Sequence, residues 1–149
     1  MSLTDPTKKM SKSDANKKSR ILITDTKEEI QNKVRTALTD SIEGPLTYDR
    51  KMRPGVSNLI ELMYCCGSSG TASIEEHAER MQHLSIQELK ATVVHAIDEE
   101  IREVRARYEE LMKGDEKVLI DIEEDGARRA EVIAETTMKR VRDAVGMGW

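Results

Sequence analysis

The residues best suited to chemistry lie in one short stretch, Asp5-Pro6-Thr7-Lys8-Lys9-Met10-Ser11-Lys12-Ser13-Asp14. Lys9 and Lys12 bracket a methionine and a serine, and a second serine, Ser13, follows. Two ammonium groups and two hydroxyls on a flexible arm can converge on a polyphosphate. Cations placed in this way stabilise charge that spreads onto phosphate oxygens during phosphoryl or nucleotidyl transfer. The same residues also read as a solvated lysine-rich arm, since basic runs commonly do no more than keep a chain in solution. Other candidates are weaker. His77, His83 and His95 are six and twelve residues apart with no Cys-x-x-Cys beside them, too few converging ligands for zinc, so no metal site is expected. Cys65 and Cys66 are neighbours and ill-placed to pair with each other; they are expected to pack, buried or half-buried, at a helix end rather than act as nucleophiles. Arg128, Arg129, Lys139, Arg140 and Arg142 cluster near the end of the chain, where basic side chains complement a helix C-terminus.

The elements that must position these groups are helical. Phenylalanine is absent, and the aromatics are Tyr48, Tyr64, Tyr108 and Trp149. A core must therefore come from Leu, Ile, Val, Met and Ala, a palette that suits packed helices better than sheets. Thr26-x-x-Glu29, Ser73-x-x-Glu76 and Ser85-x-x-Glu88 each fit the reciprocal capping box that opens a helix. Behind the first, Ile30, Val34, Ala37 and Leu38 share a helical face. Gly44-Pro45 and Arg53-Pro54 mark a broken loop. Ser57 is then expected to cap a helix to about Cys66, with Leu59, Ile60, Met63 and Tyr64 as its stripe. Gly67-Ser68-Ser69-Gly70 ends it, and a short helix runs from Ser73 to about Gln82. The third box opens what reads as the longest helix, with Leu89, Val93, Ile97, Ile101, Val104, Tyr108 and Leu111 in register until Gly114. A last helix carries Val118, Leu119, Ile122, Ala130, Ile133, Ala134, Met138, Val141 and Val145, and Gly146 can end it. Met63 and Met138 read as core. Residues 1–20 lack helical periodicity and read as a mobile loop, and Arg20–Thr24 as a strand end or a buried turn.

Charge narrows the partners. Residues 1–20 carry six basic and two acidic side chains, a net +4, whereas the rest carries 18 basic and 26 acidic, a net −8. A basic arm on an acidic body suits a local anion site rather than a long DNA track. No apolar run approaches bilayer length, and no secretory or arginine-rich presequence is present. The cysteine usage fits a reducing compartment.

Lys9-Met10-Ser11-Lys12-Ser13 resembles the second signature loop of class I aminoacyl-tRNA synthetases. Its surroundings resemble the tryptophanyl enzymes of bacterial and organellar type, which commonly read Asp-Pro-x-x-Lys-Met-Ser-Lys-Ser-Asp here. Ala37-Leu38-Thr39-Asp40-Ser41, Tyr48-Asp49, Arg53-Pro54-Gly55-Val56-Ser57-Asn58-Leu59 and the closing Val145-Gly146-Met147-Gly148 are similar to that family's later segments, in the same order. The likeness covers essentially the whole chain and is strongest over residues 5–60. It implies a mainly α fold: a helical C-terminal domain (residues 26–149) preceded by a flexible signature loop and a remnant of a Rossmann-type catalytic domain (residues 1–25).

By the same resemblance, tryptophan's carboxylate attacks the α-phosphate of ATP, pyrophosphate leaves, and the adenylate esterifies the tRNA for tryptophan. Lys9 and Lys12 would carry the charge-stabilising role, with Met10, Ser11 and Ser13 shaping the ATP-binding loop. Magnesium would accompany ATP. Arg128, Arg129, Lys139, Arg140 and Arg142 would touch tRNA phosphates. A homodimer is implied for the full-length enzyme, in the mitochondrial matrix or else a bacterial cytoplasm, with no DNA or membrane partner. The His-x-Gly-His signature of class I enzymes and an alternating strand–helix region are not found in this sequence. The chain alone is therefore expected not to form the adenylate. With the catalytic half gone, Leu22, Ile60 and Tyr64 are expected to lie open to water. The rival readings are a non-catalytic helical module that binds tRNA or a partner, and a purely structural helical protein.

Overall fold

A capping box starts the first helix of the computed structural model, which describes residues 1–67, 70 and 73–147. Ser68 and Ser69 of the expected break, and Gly148 and Trp149 at the end, lie outside the described residues. Helix α1 spans Lys27–Arg35. The Thr26 hydroxyl accepts from the Glu29 amide at 3.2 Å, and the Glu29 carboxylate accepts from the Thr26 amide at 2.8 Å, so two otherwise orphaned donors are satisfied. Ile30 and Val34 are fully buried. The far end of α1 is closed by Lys90, whose ammonium donates to the carbonyls of Arg35 and Ala37. Leu38, expected on the same stripe, is exposed because α1 has already ended.

Helix α2 spans Pro54–Cys66 and begins earlier than expected. Its first turn is set by Pro54 at a position where the missing amide costs nothing, and the residue before it, Arg53, makes no capping bond. Ser57 is therefore not a cap. It sits inside the helix, and its hydroxyl accepts from the Asp49 amide at 2.9 Å. Every residue from Gly55 to Ile60 is buried. Ile60 is thus covered, contrary to expectation, while Leu22 and Tyr64 are half-buried.

Helices α3 (Ile74–Met81) and α4 (Ile86–Lys113) open as expected, with the Ser73 and Ser85 hydroxyls accepting from Glu76 and Glu88 amides. Helix α5 (Glu116–Ala144) is 29 residues long and α4 is 28, so the last helix, not α4, is the longest. Gly146 has φ 74°, and its following amide, that of Met147, reaches back to the Arg142 carbonyl, which closes α5 in a left-handed cap. A three-residue 3-10 helix, η1 (Lys17–Ser19), interrupts the loop expected over residues 1–20. No strand occurs among the described residues; Leu22–Asp25 is a turn, closed by Asp25 N–H to the Leu22 carbonyl at 3.1 Å.

The chain divides into two compact units, Met1–Ala106 and Arg107–Trp149. In the first, α1, α2 and the start of α4 supply most of the core, joined by Leu3, Leu46 and Ala78. Burial along α4 runs from Leu89 to Asp98, and Val104, Tyr108 and Leu111 of the same periodic run are exposed. In the second unit no residue of α5 is buried, Met138 included. Periodicity names the apolar face of a helix but not what covers it.

Candidate nucleotide-binding loop

The loop is built on a closed base. The Leu3 amide donates to the Ser19 carbonyl at 2.9 Å, and the Leu3 carbonyl accepts from the Leu38 amide at 2.8 Å. Residues 4–18 are therefore strung between two neighbouring points tied to the end of α1. Leu3 is 1% exposed, so this base is anchored by core packing as well. The Asn58 amide group donates to the Ser2 carbonyl at 3.2 Å, bringing α2 to the same spot. Gly55 is needed there because a Cβ would fall 2.2 Å from the Leu38 carbonyl oxygen.

On the way into the loop, Asp5 makes a tight turn. Its carboxylate accepts from the Thr7 hydroxyl and amide and pairs with the Lys8 ammonium at 2.9 Å. The Thr7 hydroxyl, then Lys8, hold the Asp5 carboxyl at about 2, and Asp5 in turn raises the pKa of Lys8. The tip is fixed from beneath by Met10, half-buried against the core, with its sulfur accepting from the Ile21 amide at 3.5 Å. Ser11 and Ser13 share a hydroxyl hydrogen bond at 3.2 Å. Behind them, the Asp14 carboxylate accepts from the Asn16 amide, which lowers its pKa. The Arg20 guanidinium holds the Asp14 carbonyl at 2.6 Å.

The exit is pinned by buried charge. The Asp25 carboxylate accepts from the Leu22 amide at 2.8 Å and pairs with Lys33 at 2.5 Å, both side chains almost buried. Arg105 of α4 donates to the Asp25 carbonyl at 2.7 Å and pairs with the buried Asp98. A hollow of about 330 Å³ beside this exit is lined by Lys17, Arg20 and Lys33 together with Asp25 and Glu29.

Against this fixed scaffold, Lys9 and Lys12 are exposed and make no hydrogen bond or ion pair among the described residues. The contrast with Lys8, one residue away and tied to Asp5, is the notable electrostatic feature of the loop. The tRNA candidates lie on α5. Arg128 and Arg129 pair with Asp125, and Arg142 pairs with Glu135 at 3.0 Å, while Lys139 and Arg140 are exposed and without a partner among the described residues. Cys65 is exposed and Cys66 half-buried, and both are free; burial pushes the Cys66 thiol up.

Leu3, Asn58, Asp25 and Arg105 are not legible as loop supports, because the contacts that fasten the loop reach backbone atoms as far as 56 and 80 residues away. The one available signal was the segment Arg53–Leu59, whose residues turn out to serve placement. Arg53 is 3% exposed; its guanidinium grips the Asp40 carboxylate, with the closest contact at 2.9 Å, and also reaches the Pro45 carbonyl. That fork lowers the pKa of Asp40 and ties the Thr39-Asp40-Ser41 stretch to the start of α2.

Comparison with known proteins agrees with this geometry. The family described as tRNA synthetases class I (W and Y) matches residues 1–124. Two proteins named tryptophan–tRNA ligase, from Oceanobacillus iheyensis and Bacillus subtilis, are 36% and 35% identical to the chain over 148 residues. Each alignment covers 99% of this chain and 43% of the relative. A crystal structure of tryptophanyl-tRNA synthetase from Mycoplasma pneumoniae is similar with a TM-score of 0.74 at 26% identity, over 100% of this chain and 45% of that one. The chain thus spans less than half the length of the relatives it matches. With its signature loop and helical body both accounted for in that alignment, it belongs to the class I tRNA synthetases of the tryptophan and tyrosine group.

Proposed function

We propose that this chain is the signature-loop and helical portion of a tryptophan–tRNA ligase. Residues 1–25 act as the loop and the edge of a nucleotide-binding domain, and residues 26–149 as the helical tRNA-binding domain. The observation that carries the reading is the pair of exposed ammonium groups, Lys9 and Lys12, with no partner among the described residues, on a loop whose base, tip and exit are all fastened. Cations already neutralised by carboxylates would have little to offer a triphosphate. Free ones held by an organised backbone meet developing charge without reorganising.

In the proposed reaction a tryptophan carboxylate oxygen bonds to the α-phosphorus of ATP as the bond to the β-phosphate bridging oxygen breaks. Lys9 and Lys12 donate to the departing pyrophosphate. Met10, Ser11 and Ser13 keep the loop in shape, and magnesium enters as the counter-ion of the ATP substrate. The tRNA ribose hydroxyl then displaces AMP from the adenylate. Arg128, Arg129, Lys139, Arg140 and Arg142 contact tRNA phosphates, a sequence-independent attraction that falls with salt. The full-length form is a homodimer, working in a bacterial cytoplasm or a mitochondrial matrix. The relatives compared are bacterial, and no helix among the described residues is long and apolar enough to cross a membrane.

The test is tryptophan-dependent ATP–pyrophosphate exchange by this chain alone, then with the segment of the Bacillus subtilis relative that lies outside the alignment. Silence alone and exchange on mixing is the expected result. Binding of tRNA with no exchange in either case would replace the catalytic reading by a non-catalytic tRNA-binding module.

A further inference from the structure

The last turn of α2 ends in two neighbouring thiols that neither the signature loop nor its supports use. Cys65 is exposed, Cys66 is half-buried, and both are free. Beside Cys66 a hollow of about 390 Å³ opens between the end of α2 and the middle of α4. Met63, Thr92 and Ala96 line it together with His95, Glu99 and Glu100. We propose that Cys65 and Cys66 form a two-sulfur site for a trivalent organoarsenical, whose organic substituent sits in this hollow.

Three observations select that class of ligand. The first is donor number. No group of three or more His, Cys, Asp or Glu among the described residues could hold a metal ion, so a cation that needs three or four ligands is poorly served. A trivalent arsenic already bonded to carbon is satisfied by two sulfurs. The reaction is an exchange without oxidation. Two arsenic–sulfur bonds form, the bond from arsenic to oxygen breaks, and the two thiol protons leave with that oxygen as water.

The second observation is spacing. A disulfide would need its sulfurs about 2.0 Å apart, in a dihedral that adjacent residues rarely reach. A bridging atom accepts sulfurs set wider. Neighbouring Cα atoms about 3.8 Å apart allow that by rotation about each Cα–Cβ bond. Cys66 is the last residue of α2, and Gly67 after it is already extended (φ −112°, ψ 148°). The pair thus lies where a helix opens most readily.

The third observation is charge. Burial, then the nearby Glu100 and Cys65, raises the pKa of the Cys66 thiol, so it is a poor thiolate for disulfide exchange. Glu99 is held by Arg102 at 2.8 Å, which leaves Glu100 as the carboxylate that acts on Cys66. Negative charge there repels glutathione and other anionic thiol reagents, whereas a neutral arsenous group meets no such barrier. The inference uses none of the loop lysines and is independent of the catalytic reading.

Titration of the full chain with phenylarsine oxide, followed by mass and by thiol counting with a neutral disulfide, tests it. The expected result is one phenylarsenic per chain with both thiols protected, released by a dithiol but not by a monothiol supplying the same concentration of sulfur. Because the second sulfur binds intramolecularly, Cys65→Ser and Cys66→Ser should each weaken binding about 10²-fold or more. Helical circular dichroism should be unchanged. Cys65 is exposed, so its variant decides the matter even where Cys66→Ser disturbs packing. Ala96→Phe, which fills the hollow, should weaken phenylarsine oxide and spare its methyl analogue. Two arsenicals per chain, a Cys65→Ser chain that binds as tightly as the parent, or release by the monothiol would overturn the two-sulfur site. Phenyl binding indifferent to Ala96→Phe would overturn the seat in the hollow. None of these readouts depends on pyrophosphate exchange.

Discussion

The signature loop and the start of α2 both resemble the same family closely, and they differ in almost every physical respect. Lys9, Lys12 and Ser13 are exposed, and the two lysines have no partner among the described residues. Gly55 to Ile60 are buried without exception, and their polar groups are committed: Ser57 to Asp49, Asn58 to Ser2. Two segments can thus be equally constrained in residue type for opposite reasons. One must leave its charges free for a substrate. The other must leave no atom free, because it carries the base from which the loop springs.

Breaking the second region should be costly to folding. Arg53→Met leaves the nearly buried Asp40 carboxylate without its guanidinium, and such half-broken pairs cost about 3–5 kcal/mol. Chemical denaturation should show that loss, and Asp40→Asn in the same chain should return part of it. Gly55→Ala drives a methyl onto the Leu38 carbonyl, 2.2 Å away. Backbone must move, so the expected cost is roughly 1–3 kcal/mol, and the Leu38 amide, which bonds to Leu3, should exchange with deuterium faster than in the parent chain.

A smaller effect should sharpen the contrast through pH. His77 is 4% exposed, neither ring nitrogen has a hydrogen-bond partner among the described residues, and Tyr64 meets its ring edge-on with centroids 5.7 Å apart. Burial, then the Arg80 charge, depresses its pKa below 6.5. The unfolded chain therefore takes up a proton first, so His77 contributes stability that is present above 6.5 and lost as pH falls through the lower folded value. Denaturation midpoints should drop between about pH 7.5 and 5.5, and His77→Leu should flatten that dependence.

Local chemistry was legible in the sequence. Thr26, Ser73 and Ser85 cap helices where their spacing to a glutamate placed them, since a cap needs only four residues. Lys9 and Lys12 were legible by their spelling. Ser57 misled because serine before an apolar run resembles a cap, whereas Pro54 had already set the first turn. The stripes of α4 beyond Ile101 and of α5 are legible as apolar faces, and Met138 reads as core, but a stripe records an apolar face and not the surface that meets it. The loop's supports escaped because Arg105 and Asp25 are 80 residues apart, and nothing in either neighbourhood announces the other.

The central claim is that Lys12 serves the substrate and not the fold. It is tested most directly by Lys12→Ala, measured for both denaturation midpoint and pyrophosphate exchange with the complementing segment present. The account predicts an unchanged midpoint and exchange reduced about 10²–10³-fold, as for other lost transition-state donors. Exchange that survives the substitution, or that falls only in step with the midpoint, would contradict it.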